Sequence, residues 1–113
     1  MNHKYRAVKT EVDGVVFDSK KEARRYGELL LLKRAGEVTD IQLQPEYLLM
    51  EGFTHKASKA RIRPIKYKAD FLVTYADGRQ EIEDVKGFVN QTYALKKKLF
   101  MARYPDLTIK EIR

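Results

Sequence analysis

The sequence predicts an α/β (α+β) domain in which a central mixed sheet is flanked by two helices, with elements running α-β-β-β-α-β after an N-terminal hairpin. Three observations predict it. Residues 65–75 alternate an apolar set (Tyr67, Ala69, Phe71, Val73, Tyr75) with a mostly polar one (Lys66, Lys68, Asp70, Thr74), which is the period of a strand. Asp77-Gly78 separates that run from a second strand-like run over 80–86, and Asp-Gly between two such runs is a hairpin signal. Flanking segments at 19–35 and 90–104 read as helices, the first ended by Gly36 and the second by Pro105.

Residues 1–18 form an arm and a short hairpin, 9–12 and 15–17 joined at Asp13-Gly14. Ser19-x-x-Glu22 then fits a capping box, the glutamate reaching back to a free N–H at the helix start. Residues 37–50 read as a long strand, Ile41 and Leu43 alternating with Gln42 and Gln44, bent at Pro45 and so placed on an edge there. The central strands 65–75 and 80–86 follow, then the helix 90–104 with Leu95, Leu99 and Ala102 on its apolar face, and a last strand over 107–112. At 113 residues the chain is long enough for this one core, and 1–113 reads as a single domain without repeat, linker or low-complexity tract.

Composition narrows the function classes. Without cysteine there is neither a disulfide framework nor a zinc ribbon, and His3 and His55 stand too far apart to make a metal site of their own. The first ten residues are polar and basic, so no signal peptide or membrane span is expected, and a cytoplasmic location, cytosol or nucleoid, is the default. A net charge of +7 and a pI near 9.6 favour an acidic partner, of which nucleic acid is the commonest.

The candidate chemistry lies in the paired strands. Asp84 and Lys86 point the same way on a strand that rises about 3.3 Å per residue, and the hairpin lets Asp70 meet Asp84 on one face. Two carboxylates so close repel unless a cation lies between them, and hard oxygen ligands suit Mg²⁺ or Mn²⁺. Asp-x-Lys alone also describes a solvated same-face salt bridge, worth about 0 to 1 kcal/mol. Glu22 adds a third carboxylate: it precedes Tyr26 and Leu30 by four and eight residues, on the stripe that should face the sheet. Its two readings, cap and metal ligand, both stand.

In this order the motifs resemble the PD-(D/E)XK, or restriction-endonuclease-like, nuclease superfamily, and within it a family of small phage-encoded endonucleases. Phe17 to Ala23 (FDSKKEA), Ala69 to Phe71 (ADF) and Asp84 to Gly87 (DVKG) carry the resemblance. Two departures are Ala69 in place of the proline before the aspartate, and Asp84 as the acid of the tripeptide. The resemblance implies a restriction-endonuclease-like core and a divalent-metal-dependent DNA endonuclease of phage recombination, replication or packaging, with Holliday-junction resolution among the activities it brings into view. It assigns Asp70, Asp84 and the Val85 carbonyl to the metal, Glu22 directly or through water, and Lys86 to the attacking water and the phosphate.

Basic residues mark the expected DNA contacts. Residues 54–68 hold Lys56, Lys59, Arg61, Arg63, Lys66 and Lys68 without one acid, a pattern that suits phosphate. Lys96-Lys97-Lys98 sit about 100° apart on a helix, so not all three can face one ligand; Lys96 and Lys97 are the assigned pair. The arm around Tyr5, with Lys4, Arg6 and Lys9, could settle on DNA. Leu29 to Leu32 sweep more of the first helix than a sheet can cover, so the hairpin or a second subunit must cover the rest; resolvase-type nucleases of this fold favour a homodimer. A non-catalytic basic DNA-binding protein is the alternative, and it leaves the two aspartates unexplained.

Overall fold

The computed structural model describes residues 9–86 and 89–113. The sequence-read contacts of the arm (Lys4, Tyr5, Arg6), His3, and Gly87 of the last motif lie outside the described residues. Elements follow as β1 (Thr10–Val12), β2 (Val15–Phe17), α1 (Lys20–Arg34), β3 (Val38–Leu43), β4 (Glu46–Met50), β5 (Phe53–Thr54), β6 (Arg61–Ile62), β7 (Ile65–Lys68), β8 (Phe71–Tyr75), β9 (Gln80–Val85), α2 (Gln91–Arg103) and β10 (Ile109–Ile112). This is an α+β chain with a mixed four-stranded sheet of order β10-β9-β8-β3 and two helices. The β8 and β9 strands form a hairpin, whereas β10 runs parallel to β9 with Glu111 opposite Asp84. Among the described residues no helix is long and apolar enough to cross a membrane.

Two compact units divide these residues. One comprises the described residues up to Ile41 together with Val73–Gln80. Its first turn holds Asp13 at φ 51° and Gly14 at φ 81°, the paired left-handed conformation that matches hairpin twist and that Asp-Gly adopts at little cost. Ser19 caps α1, its Oγ accepting the Glu22 N–H at 3.1 Å. At the other end Gly36 N–H donates to Lys33 O and Glu37 N–H to Leu32 O, the paired bonds that close a helix on a left-handed glycine. Phe17 packs on Tyr26 with ring centroids 5.0 Å apart, and the leucine run divides as its angular sweep requires: Leu29 is fully buried and Leu31 is 63% exposed.

The other unit comprises Gln42–Leu72 and Glu81–Arg113. Its core joins Leu49, Tyr67, Ala69, Ile82, Tyr93, Phe100 and Ile109. Here α2 turns differently from the leucine-based expectation: Tyr93 and Phe100 are buried while Leu95 is 59% exposed. The aromatic rings offer more apolar area for burial than leucine or alanine, and they set the helix's rotation. Asn90 caps this helix, its Oδ1 accepting the Tyr93 N–H at 2.8 Å.

Both long strands read from the sequence are broken, at matching positions. Pro45 has no N–H, and Gln44 before it adopts φ 50°, so the first strand divides into β3 and β4. The partner divides into β7 and β8 at Ala69-Asp70, where Ala69 N–H donates to Pro45 O and Gln44 N–H to Asp70 O. One corner therefore bends both strands, and Asp70 sits on it. Beyond the other end of β4, the stretch read as a loop is an antiparallel ribbon, with Phe53 opposite Ile62 and Thr54 opposite Arg61. A turn over 55–60 closes it, His55 N–H donating to Ala60 O at 2.9 Å.

Candidate active site

Strand period places Ile82, Asp84 and Lys86 on one face of β9 and its continuation, the face whose Ile82 packs in the core beside Tyr93 and Phe100. Asp84 is only 4% exposed. Its Oδ1 lies 3.2 Å from Lys86 Nζ, and its Oδ2 accepts a short hydrogen bond from the Tyr67 hydroxyl. Lys86 Nζ also lies 3.8 Å from the centroid of the Tyr93 ring, so a carboxylate and an aromatic face both hold the ammonium. The bond expected from strand spacing alone is present, in a setting drier than a surface salt bridge.

Asp70 reaches the same corner by another route. Its main-chain N–H donates to Glu83 O, and its carboxylate accepts the Val85 N–H at 2.6 Å. Because the N–H and C=O of one strand residue point to the same side, and Lys86 N–H is already bonded to Ile112 O, the Val85 carbonyl is directed to the Asp70 side as well. Both aspartates act on Tyr67, whose pKa is pushed well above the usual phenol range by burial first, then by the Asp84 hydrogen bond and charge, with Asp70 adding to it.

Sequence reasoning missed this pair of tyrosines. Tyr67 read as one of an apolar series, yet its hydroxyl fixes Asp84. Tyr93 supports Lys86 with its ring and donates its hydroxyl to Glu111 Oε2 at 2.8 Å, and burial followed by that bond raises its pKa too. Glu111 in turn accepts from Lys97 Nζ at 2.9 Å and lies 3.0 Å from an Arg113 nitrogen; the Lys97 bond, then that of Tyr93, holds its carboxyl below the usual range. A tyrosine seven residues before a core phenylalanine on the same helix was the available signal.

The open side of Asp84 is a cleft of about 370 Å³ lined by Lys66, Lys68, Lys86 and Lys96, with Glu46 and the first turn of α2. Four ammonium groups and the positive end of a helix make it attractive to phosphate. Lys66 and Lys68 lie 4.0 and 3.7 Å from Glu46, so these two cations of the acid-free segment do find an acid, on the neighbouring strand. Lys97 is committed to Glu111, whereas Lys96 faces the cleft. Lys56, Lys59, Arg61 and Arg63 lie apart from it on the ribbon and its turn. Glu22 belongs to the α1 unit, where its N–H bonds Ser19.

A divalent cation fits the donor set in kind. Among the described residues no three His, Cys, Asp or Glu side chains converge, but Mg²⁺ keeps several waters and is commonly held through one or two carboxylates. An ionised carboxylate offers about four acceptor positions, of which Tyr67 and Lys86 occupy two on Asp84. Asp84, Asp70 and the Val85 carbonyl are thus the groups that would hold the ion.

No curated protein and no solved structure matches the chain. One family does, over residues 2–113, its description being "Protein of unknown function (DUF1064)". With the match spanning nearly the whole sequence, the chain belongs to the DUF1064 family.

Proposed function

We propose that the protein is a divalent-metal-dependent DNA endonuclease with a restriction-endonuclease-like core, acting as a homodimer on phage DNA in the host cytoplasm. The observation that carries this reading is the meeting of Asp84, Lys86 and the Asp70 carboxylate at one strand corner, beside a lysine-lined cleft. A bound Mg²⁺ or Mn²⁺ would supply Lewis acidity and a water of lowered pKa. Asp70 and Asp84 would hold that ion through hard oxygen atoms. Lys86, kept in place by Asp84 and the Tyr93 ring, would orient the attacking water and offset charge growing on the phosphate. Lys66, Lys68 and Lys96 would seat the backbone on either side.

The test is incubation of supercoiled plasmid with purified protein and Mg²⁺ or Mn²⁺, with and without EDTA. Nicking or linearisation that EDTA abolishes supports the reading; an intact plasmid with either metal overturns it in favour of a non-catalytic DNA-binding protein.

Glu22 enters the proposal from motif order alone. Glu22→Gln is expected to shift the Mg²⁺ dependence of cleavage to higher concentration while leaving the melting temperature in EDTA unchanged, because Gln can serve a capping box as well as Glu. Superimposable titrations for the two proteins would remove Glu22 from the metal site.

Replacing Arg61 and Arg63 together by Ala is expected to weaken binding to every DNA sequence and to flatten the log–log salt dependence by about 0.9 for each duplex phosphate that the protein no longer neutralises. Fluorescence polarisation across a salt series measures this. An unchanged slope would show that these arginines do not touch phosphate.

A further inference from the structure

We infer that the β5–β6 ribbon is a platform for an unstacked nucleobase, so that the DNA this protein takes carries a branch, flap or other single-stranded segment. The inference rests on the proposed DNA substrate and adds the class of DNA to it. Strand register puts Phe53 directly opposite Ile62, which places both side chains on one face of the ribbon, with Thr54 and Arg61 on the other. Both are solvent-exposed, Phe53 at 48% and Ile62 at 36%. Gly52 lets the two strands approach closely here: a Cβ at that position would meet Ile62 O at 3.0 Å and Pro64 Cδ at 3.1 Å. The resulting concavity holds about 710 Å³, within the span of about 300–1,000 Å³ typical of small-ligand pockets.

Charge identifies the occupant. Among the described residues Lys56, Lys59, Arg61 and Arg63 have no ion-pair partner, and no acid occurs between Glu51 and Asp70. An exposed apolar pair in a concavity that Arg61 and Arg63 also line, with Lys56 and Lys59 in the adjoining turn, suits a ligand with a flat apolar body and phosphates on either side, which is a nucleotide strand. In an intact duplex the base faces are stacked on one another, and opening a step costs a few kcal/mol. At a branch or in a single strand the base face is already available, and stacking on an aromatic side chain favours it. Phe53 would supply that stack, with Ile62 completing the platform.

The experiment measures binding in EDTA, so that it is independent of cleavage. A fluorescein-labelled blunt duplex, the same duplex carrying a single-stranded flap, and the flap strand alone are titrated with wild type and with Phe53→Ala/Ile62→Ala at one salt concentration. The double variant should lose about tenfold in affinity for the flap and single-stranded DNAs and less than twofold for the blunt duplex. Equal loss on all three, or none, overturns the inference. So does sedimentation in which wild type is a dimer and the double variant a monomer, since the platform would then be a contact between chains. The sequence has no tryptophan, so Phe53→Trp gives a single reporter that does not depend on the double variant's folding. Its emission should be quenched by the flap and single-stranded DNAs and unaffected by the duplex; quenching by all three, or by none, overturns the platform. Failed cleavage with intact flap preference would sink the nuclease reading alone.

Discussion

Asp84→Asn is expected to bring metal-dependent cleavage of DNA to background while the chain stays folded and still binds DNA. The change removes one negative charge from the carboxylate that the proposed ion requires, at a position only 4% exposed. Loss of one preorganised electrostatic group in an active site commonly costs about 10²- to 10³-fold in rate, and loss of a ligand should exceed that. The structural cost is smaller. The amide carbonyl can keep the Tyr67 hydroxyl, and Lys86 retains the Tyr93 ring at 3.8 Å after losing its countercharge at 3.2 Å. A lost hydrogen bond to a charged group costs about 1.5–3 kcal/mol, against a typical domain stability of about 5–15 kcal/mol. Lys86→Ala should abolish cleavage in the same way. Rates in Mg²⁺, affinity in EDTA and melting curves separate these terms, and wild-type rates in either variant would end the assignment of this corner as the active site.

What the sequence disclosed about this corner is what period two and turn chemistry can encode. Asp84 and Lys86 share a face because they are two residues apart on a strand, and Asp13-Gly14 takes the left-handed pair of conformations that a tight hairpin demands. The capping of α1 by Ser19 was also local, and so was legible. Asp70 was recognised as a ligand candidate but not its manner of approach, because its carboxylate is aimed by a bend. That bend depends on Gln44 and Pro45 on a strand some 25 residues away, paired to it by main-chain bonds. Tyr67 was read by its ring and not its hydroxyl, since alternation scores apolar bodies and says nothing about polar tips. The ribbon was invisible for a different reason: β5 and β6 have two residues each, too few to show a period, and their pairing arises from continuing β4 and β7 beyond a bulge between Leu48 and Met50.

Phe100→Ala is expected to destabilise the protein by about 3–5 kcal/mol, the range for removing a buried phenylalanine from a packed core. Phe100 is fully buried and is the hub of an aromatic cluster, with ring centroids of Tyr104, Tyr47 and Tyr67 at 5.1, 5.4 and 5.7 Å. Aromatic pairs of this kind add about 0.5–1.5 kcal/mol to the area they bury, so truncation removes both terms and leaves a void in the core. Urea denaturation should show the midpoint falling steeply with little change in slope; a loss below about 1 kcal/mol would mean that the cluster repacks around the missing ring. The same residue links the core to the chemistry. Tyr67 rests on Phe100 and holds Asp84, so loosening the ring loosens the carboxylate. Phe100→Leu keeps more of the volume and provides the test in a folded protein: cleavage should fall several-fold while affinity for DNA in EDTA is unchanged. Parallel loss of both would place the effect on the DNA surface instead of on Asp84.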